Sequence, residues 1–168
     1  MKLALIIIAV LVALVLVMFI VGAMLPKDHV ASRSVTLSVP PEVVFALISD
    51  VKNAPSWRSG LSAVEGDEQR FIEVTRHGRI PFRVLENTAP SKRVAQIDDP
   101  SLPFGGTWTW ELVPEGTSGT RVTVTERGTV GPPLFRFLSR FVFGHDGTLK
   151  QVLNDLQRHF TTTSQSAS

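Results

Sequence analysis

Residues 105–113 read GGTWTWELV, and residues 119–130 read GTRVTVTERGTV. In the first, Trp108, Trp110 and Leu112 alternate with Thr109 and Glu111. In the second, Val122 and Val124 alternate with Arg121, Thr123 and Thr125. Side chains on a strand point to opposite faces with period two, so each stretch predicts a strand with one apolar face. The intervening PEGTSG is rich in turn residues. A five-residue connection, Glu115–Gly119, would set Leu112 opposite Val122, Trp110 opposite Val124 and Trp108 opposite Glu126. Cross-strand partners share a face. A carboxylate is therefore expected on the face that carries both indoles. Such a face is either the packed core of the protein or the wall of a space kept for something else.

Upstream, more strands follow the same logic. SVTLSV predicts one with Val35, Leu37 and Val39 on one side. LSAVEGDE, RFIEVTR, RIPFRVLEN and KRVAQID read as four more. A three-residue connection, Arg76-His77-Gly78, would put Ile72 and Val74 on the same face as Ile80, Phe82 and Val84. Such loops need a residue with positive φ, which Gly78 supplies. Asp98–Gly106 is a Pro/Gly-rich loop and the natural candidate for a lid. Helical signals bound the strands. PEVVFALISD begins with a proline, tolerated in the first helical turn, and VKNAPSWRSG reads as a second short helical piece carrying Trp57. Near the C-terminus, Leu134, Leu138 and Phe141 recur on one helical face. After a break at Gly144–Gly147, Leu149, Val152, Leu153, Leu156 and Phe160 follow at spacings of three and four. Strands bounded by helices imply an α+β fold with an antiparallel sheet covered on one side. The polar tail, residues 162–168, is expected to be disordered.

The N-terminus has a different character. Leu3 to Leu25 is a run of 23 residues without a charge. As a helix it would extend about 34 Å, against roughly 30 Å of bilayer hydrocarbon. This length favours a retained transmembrane anchor. A cleaved signal peptide is the alternative, with Val21-Gly22-Ala23 as its small-residue site, although apolar regions of signal peptides run only about 7–15 residues. Residues 1–25 are thus read as the anchor, 26–31 as a linker and 32–161 as the folded domain. Lys2 lies on one side of the anchor and Lys27 and Arg33 on the other, so flanking charge hardly orients it. Export by such N-terminal segments favours an extracytoplasmic domain.

The 168 residues contain no cysteine and no tyrosine. Disulfides and Cys-based metal or redox sites are excluded. The net charge is +2, and the 17 Lys and Arg are scattered without a basic stripe, so no nucleic-acid partner is expected. His29, His77, His145 and His159 lack metal-ligand spacing, and His77 reads most simply as a turn residue. Asp146, beside His145, reads as a cap for the resumed helix. No nucleophile elbow, phosphate loop or dinucleotide fingerprint occurs.

Three phrases resemble the START-like (SRPBCC) superfamily, which includes polyketide cyclase/dehydrase proteins. They are PPEVVFALISDVKNAPSW (40–57), LPFGGTWTWELVPEGTSGTRVTVTERGTV (102–130), and PLFRFLSRFVFG (133–144) with TLKQVLNDLQ (148–157). The second and third look like a membrane-anchored bacterial subgroup. The resemblance implies a helix grip: a curved antiparallel sheet around a long C-terminal helix, with a hydrophobic cavity between them. It implies binding of a hydrophobic or amphipathic small molecule, plausibly a lipid, and no cofactor. Trp57, Phe82, Trp108, Trp110, Glu126 and Leu138 are then the candidate ligand contacts. Each has a plainer reading as core or, for Glu126, as a strand-end carboxylate near solvent. Glu126 is the one candidate catalytic residue, as a general base in a cyclase- or dehydrase-type enzyme. A third possibility is an interaction domain whose indoles fill the cavity. Arg136 and Arg140, among phenylalanines, could also touch an anionic membrane surface.

Overall fold

The computed structural model describes residues 1–76, 78–144 and 146–166. A 23-residue helix, α1 (Lys2–Met24), leads directly into β1 (Asp28–Leu37). Then come α2 (Pro41–Ser49), a 3-10 turn (Val51–Asn53) and α3 (Ala54–Trp57). Six strands follow: β2 (Leu61–Gly66), β3 (Arg70–Thr75), β4 (Gly78–Thr88), β5 (Lys92–Ile97), β6 (Phe104–Glu115) and β7 (Gly119–Val130). The chain closes with α4 (Pro133–Leu138), a π turn (Ser139–Phe143) and α5 (Gly147–Ser166). The seven strands form one antiparallel sheet in the order β1-β7-β6-β5-β4-β3-β2. This is the helix-grip α+β fold with an N-terminal apolar helix.

The β6–β7 register is the one that side-chain parity predicts: Leu112 pairs with Val122, Trp110 with Val124 and Trp108 with Glu126. Pairing continues to Glu115 and Gly119, so Gly116–Ser118 forms the turn, with Gly116 at a φ of 67°. That left-handed backbone suits glycine. The inner face then packs on the helices. Val122, Val124, Leu149 and Leu156 are fully buried, beside Val44, Phe45, Ile48 and Leu112. A smaller cluster, Val51, Phe71 and Ala95 with Val64, Phe82 and Val84, lies toward the other edge of the sheet.

Three expectations need correction. The linker is shorter than residues 26–31, because β1 begins at Asp28 and pairs His29 with Gly128 and Ala31 with Glu126. Backbone groups beside an open β7 edge are better satisfied by pairing than left to water. The tail is helical through Ser166, with Thr161 Oγ1 donating to the Gln157 carbonyl. The β3–β4 parity is the reverse of that expected. Thr75 pairs with Gly78 and Phe71 with Phe82, which turns Ile72 and Val74 outward and Phe71 and Glu73 inward. Phe71 stacks on Phe82 at 5.3 Å between centroids, a larger apolar burial than the two aliphatics offer. The connection therefore holds Arg76 and His77, the latter outside the described residues, as is His145.

Leu156 sits at the centre of the packing of α5 on the sheet. Leu156→Ala is expected to lower stability by about 2–5 kcal/mol. The exposed Leu85→Ala should change it by no more than about 0.5 kcal/mol. Denaturant titration of both variants checks this, and equal effects would contradict the assigned core.

Candidate ligand cavity

Between the two apolar clusters lies a cavity of about 700 Å³. The sheet supplies most of its wall, through Val64, Phe71, Phe82, Ile97, Trp108 and Trp110. Trp57 and Val51 close one side, and Thr148, Gln151 and Val152 of α5 close another. Pairing explains how the wall forms. Trp108 stands between Ala95 on β5 and Glu126 on β7. A small neighbour on one side leaves the indole standing against open space. Trp110, by contrast, is both wall and core, being 8% exposed and packed with Val124 and Leu112.

The wall also carries ionisable groups: Arg58, Glu73, Arg76, Arg93, Glu126 and Asp155. Glu126 faces the cavity with its side chain 23% exposed. Burial pushes its pKa up to about 6, because the charged form loses hydration. His29 Nε2 lies 3.7 Å from its Oε1. The imidazole packs over Gly128, where a Cβ would come within 2.3 Å of the ring. Only glycine at this position leaves room for that ring.

On the far side of the cavity Glu73 is held inside by Arg58, whose Nη1 donates to Oε1 and whose Nη2 lies 3.4 Å from Oε2. An inward carboxylate on β3 is tolerable because it is paired; alone it would be strongly destabilising. Asp155 of α5 accepts from the Ser59 backbone N–H at 2.8 Å and from its hydroxyl at 2.9 Å. These bonds tie the loop after α3 to α5. Arg93, 3% exposed, donates to Asn87 Oδ1 and to the Glu68 carbonyl, each at 3.0 Å. Desolvation lowers its pKa from the usual arginine value. The Trp57 indole N–H is buried with no hydrogen-bond partner among the described residues.

Of the six residues singled out by sequence, Trp57, Phe82, Trp108, Trp110 and Glu126 line this one cavity. Leu138 does not. It lies on α4, which packs mainly against α1 and is separated from the grip helix by the break at Gly144. Sequence reasoning missed Phe71, Glu73, Arg58, Arg93 and Asp155. Phe71 and Glu73 follow from the reversed parity of β3, and their signal was the Phe-x-Glu alternation at 71 and 73. The candidate lid, Asp98–Gly106, overlies a smaller cavity of about 460 Å³, which shares Ile97 and Phe104 with the main one. The open interior argues against a cavity filled by its own indoles. Among the described residues no group of His, Asp or Glu could hold a metal ion.

A family model described as polyketide cyclase / dehydrase and lipid transport matches residues 28–161. Solved structures share the fold at low identity. A START superfamily protein from Mycobacterium smegmatis superposes with a TM-score of 0.65 at 15% identity, covering 80% of this chain and 99% of that one. A conserved protein from Geobacillus kaustophilus gives 0.68 at 15% identity, covering 80% and 97%. Norcoclaurine synthase from Thalictrum flavum gives 0.62 at 12% identity, covering 78% and 85%. No curated protein matches the sequence.

The environment of Glu126 makes a pH-dependent prediction. The folded protein holds the Glu126 proton more tightly than the unfolded chain does. Its contribution to stability is therefore complete below about pH 4.5 and is lost as pH rises through about 6. Relative to Glu126→Gln, the wild type should lose about 2 kcal/mol across that window. Paired denaturation curves from pH 4 to 8 measure it. A difference independent of pH would show that the carboxyl is as well solvated folded as unfolded.

Proposed function

Because the chain belongs to the polyketide cyclase/dehydrase and lipid transport family, within the START-like superfamily, we propose that it is a membrane-tethered carrier or sensor of an apolar or amphipathic small molecule, with a lipid as the favoured ligand class. One observation carries this reading: the cavity of about 700 Å³ walled by Trp108, Trp110, Phe71 and Phe82. Ligand sites typically measure about 300–1,000 Å³, with apolar walls and a few convergent polar groups. Glu126 and the unpartnered Trp57 N–H offer such groups to the polar end of an amphipath.

Tethering supports the lipid assignment. α1 is long and apolar enough to cross a membrane. The terminal turns of α1 are packed on the domain through Gly22, so cleavage at Ala23 would remove a built contact. The register also orients the cavity. Leu61, Thr75, Ile80, Ile97 and Phe104 line it from strand ends on the side of the sheet where α1 enters β1. A ligand drawn from the bilayer would meet that side first.

A second reading is favoured by the pKa of Glu126 alone. A carboxyl pushed up to about 6 suits proton transfer near neutral pH, and His29 behind it would position it. Turnover that survives unchanged in Glu126→Gln would dispose of this enzyme hypothesis.

Binding is measured by displacement of an environment-sensitive apolar dye from the detergent-solubilised full chain, with phospholipids and fatty acids as competitors. The dye should bind and be displaced. Trp108→Ala should weaken binding about tenfold, the equivalent of 1.4 kcal/mol of lost apolar contact, while Trp108→Phe retains most of it. A wild-type protein that takes up no dye would contradict the proposal.

A further inference from the structure

The outer surface of α1 is apolar all round, and most of it is exposed. The exception is one stripe near its C-terminal end. Met18, Val21, Gly22 and Leu25, at helical spacings, are covered or partly covered, and the element packed there is α4. The contact is close. A Cβ on Gly22 would lie 2.0 Å from the Pro133 carbonyl oxygen. Arg136 Nη1 donates to the Leu25 carbonyl at 2.8 Å and to that of Ala23 at 3.4 Å. These are carbonyls that the end of α1 leaves without helical partners, at the negative end of its dipole.

This packing fixes the depth of α4. From Met18 to Leu25 a helix rises about 10 Å. If α1 occupies the roughly 30 Å of hydrocarbon, α4 lies beside its last two turns, at the level of the headgroups and the outermost acyl carbons. The free side of this segment has the composition for that level. Phe135, Phe141 and Val142 are 50%, 60% and 61% exposed. Arg140, next to Phe141 in the chain, and Lys27, two residues after Leu25, are exposed as well. Apolar side chains facing the acyl boundary, with cations at headgroup height, are the marks of an interfacial segment on an anionic bilayer.

We propose that α4 and the π turn form a second membrane contact, a seat of Phe135, Phe141 and Val142 sunk into the bilayer interface beside α1. The proposal rests on the reading of α1 as a retained anchor, and it is independent of what the cavity holds. The seat fixes the orientation of the domain, which a single helix would leave free to swivel.

The chain has no cysteine, so single-cysteine variants take a nitroxide label cleanly. Phe141→Cys and Val142→Cys report on the seat. Val12→Cys reports on the middle of α1, and Val113→Cys on an exposed site of β6 away from the anchor. The full chain is reconstituted in phosphatidylcholine–phosphatidylglycerol vesicles. Power saturation then compares collisions with oxygen and with a water-soluble nickel chelate. Positions 12, 141 and 142 should favour oxygen, with 141 and 142 shallower than 12, and position 113 should favour nickel. If 141 and 142 behave like 113 while 12 is embedded, the seat is wrong and the anchor stands. If 12 itself is aqueous, both are wrong. Shielding of 141 and 142 from both reagents would mean that protein covers the patch, which also overturns the seat.

Discussion

A single helix cannot cover the inner face of a seven-stranded sheet. Seven strands span roughly 29 Å between the outermost two, at about 4.8 Å per neighbour, whereas a helix with its side chains is about 10–12 Å wide. Here α5 takes the β1–β7 side, where Leu149, Val152, Leu153 and Leu156 meet Leu37, Val122 and Val124. The short helical elements α2 and α3 extend the cover as far as Trp57 and Trp110. α3 also reaches the far edge at β2, but the inner face around Phe71, Phe82 and Trp108 fronts open space, with Glu73 and Arg93 set among its apolar side chains. Curvature of the sheet folds that remainder over a space, and the second cluster around Phe71 and Ala95 closes its far side. The cavity is thus a consequence of the architecture, and the indoles of β6 stand where cover ends and space begins.

That geometry also explains the distribution of charge. Glu73, Arg93 and Asp155 are all buried, and each is tied to partners brought from elsewhere in the chain. Glu126, in the same cavity wall, differs in having an elevated pKa and, among the described residues, only an imidazole at 3.7 Å beside it. Such a carboxyl can present an O–H or accept a proton with little change of surroundings. The same chain holds its domain against α1 through Gly22, Pro133 and Arg136. The strand ends that line the cavity and the contact of the domain with α1 therefore lie at one end of one sheet.

The fold was largely legible in the sequence, because the β6–β7 hairpin has an unambiguous alternation. From Thr107 to Glu111 and from Arg121 to Arg127 every outward position is Thr, Glu or Arg, so one register wins. The β3 strand was not legible in the same way. Phe71 on one face competes with Ile72 and Val74 on the other, and Glu73 reads as outward until Arg58 is seen beside it. A pairing between residues 15 positions apart in different elements leaves no local pattern. Leu138 stands apart from the other candidates because α4, which carries it, packs mainly on α1. Five of the six candidate residues fell on the cavity because strand parity alone carried most of them there.

The decisive question is whether the cavity is occupied by something taken from the membrane. The most direct measurement is native mass spectrometry of the full chain released gently from its own membrane, followed by extraction and identification of whatever travels with it. A stoichiometric lipid or other amphipath of a size that fits about 700 Å³ is the predicted result. A protein of bare polypeptide mass, released under conditions that leave its fold intact, would contradict it.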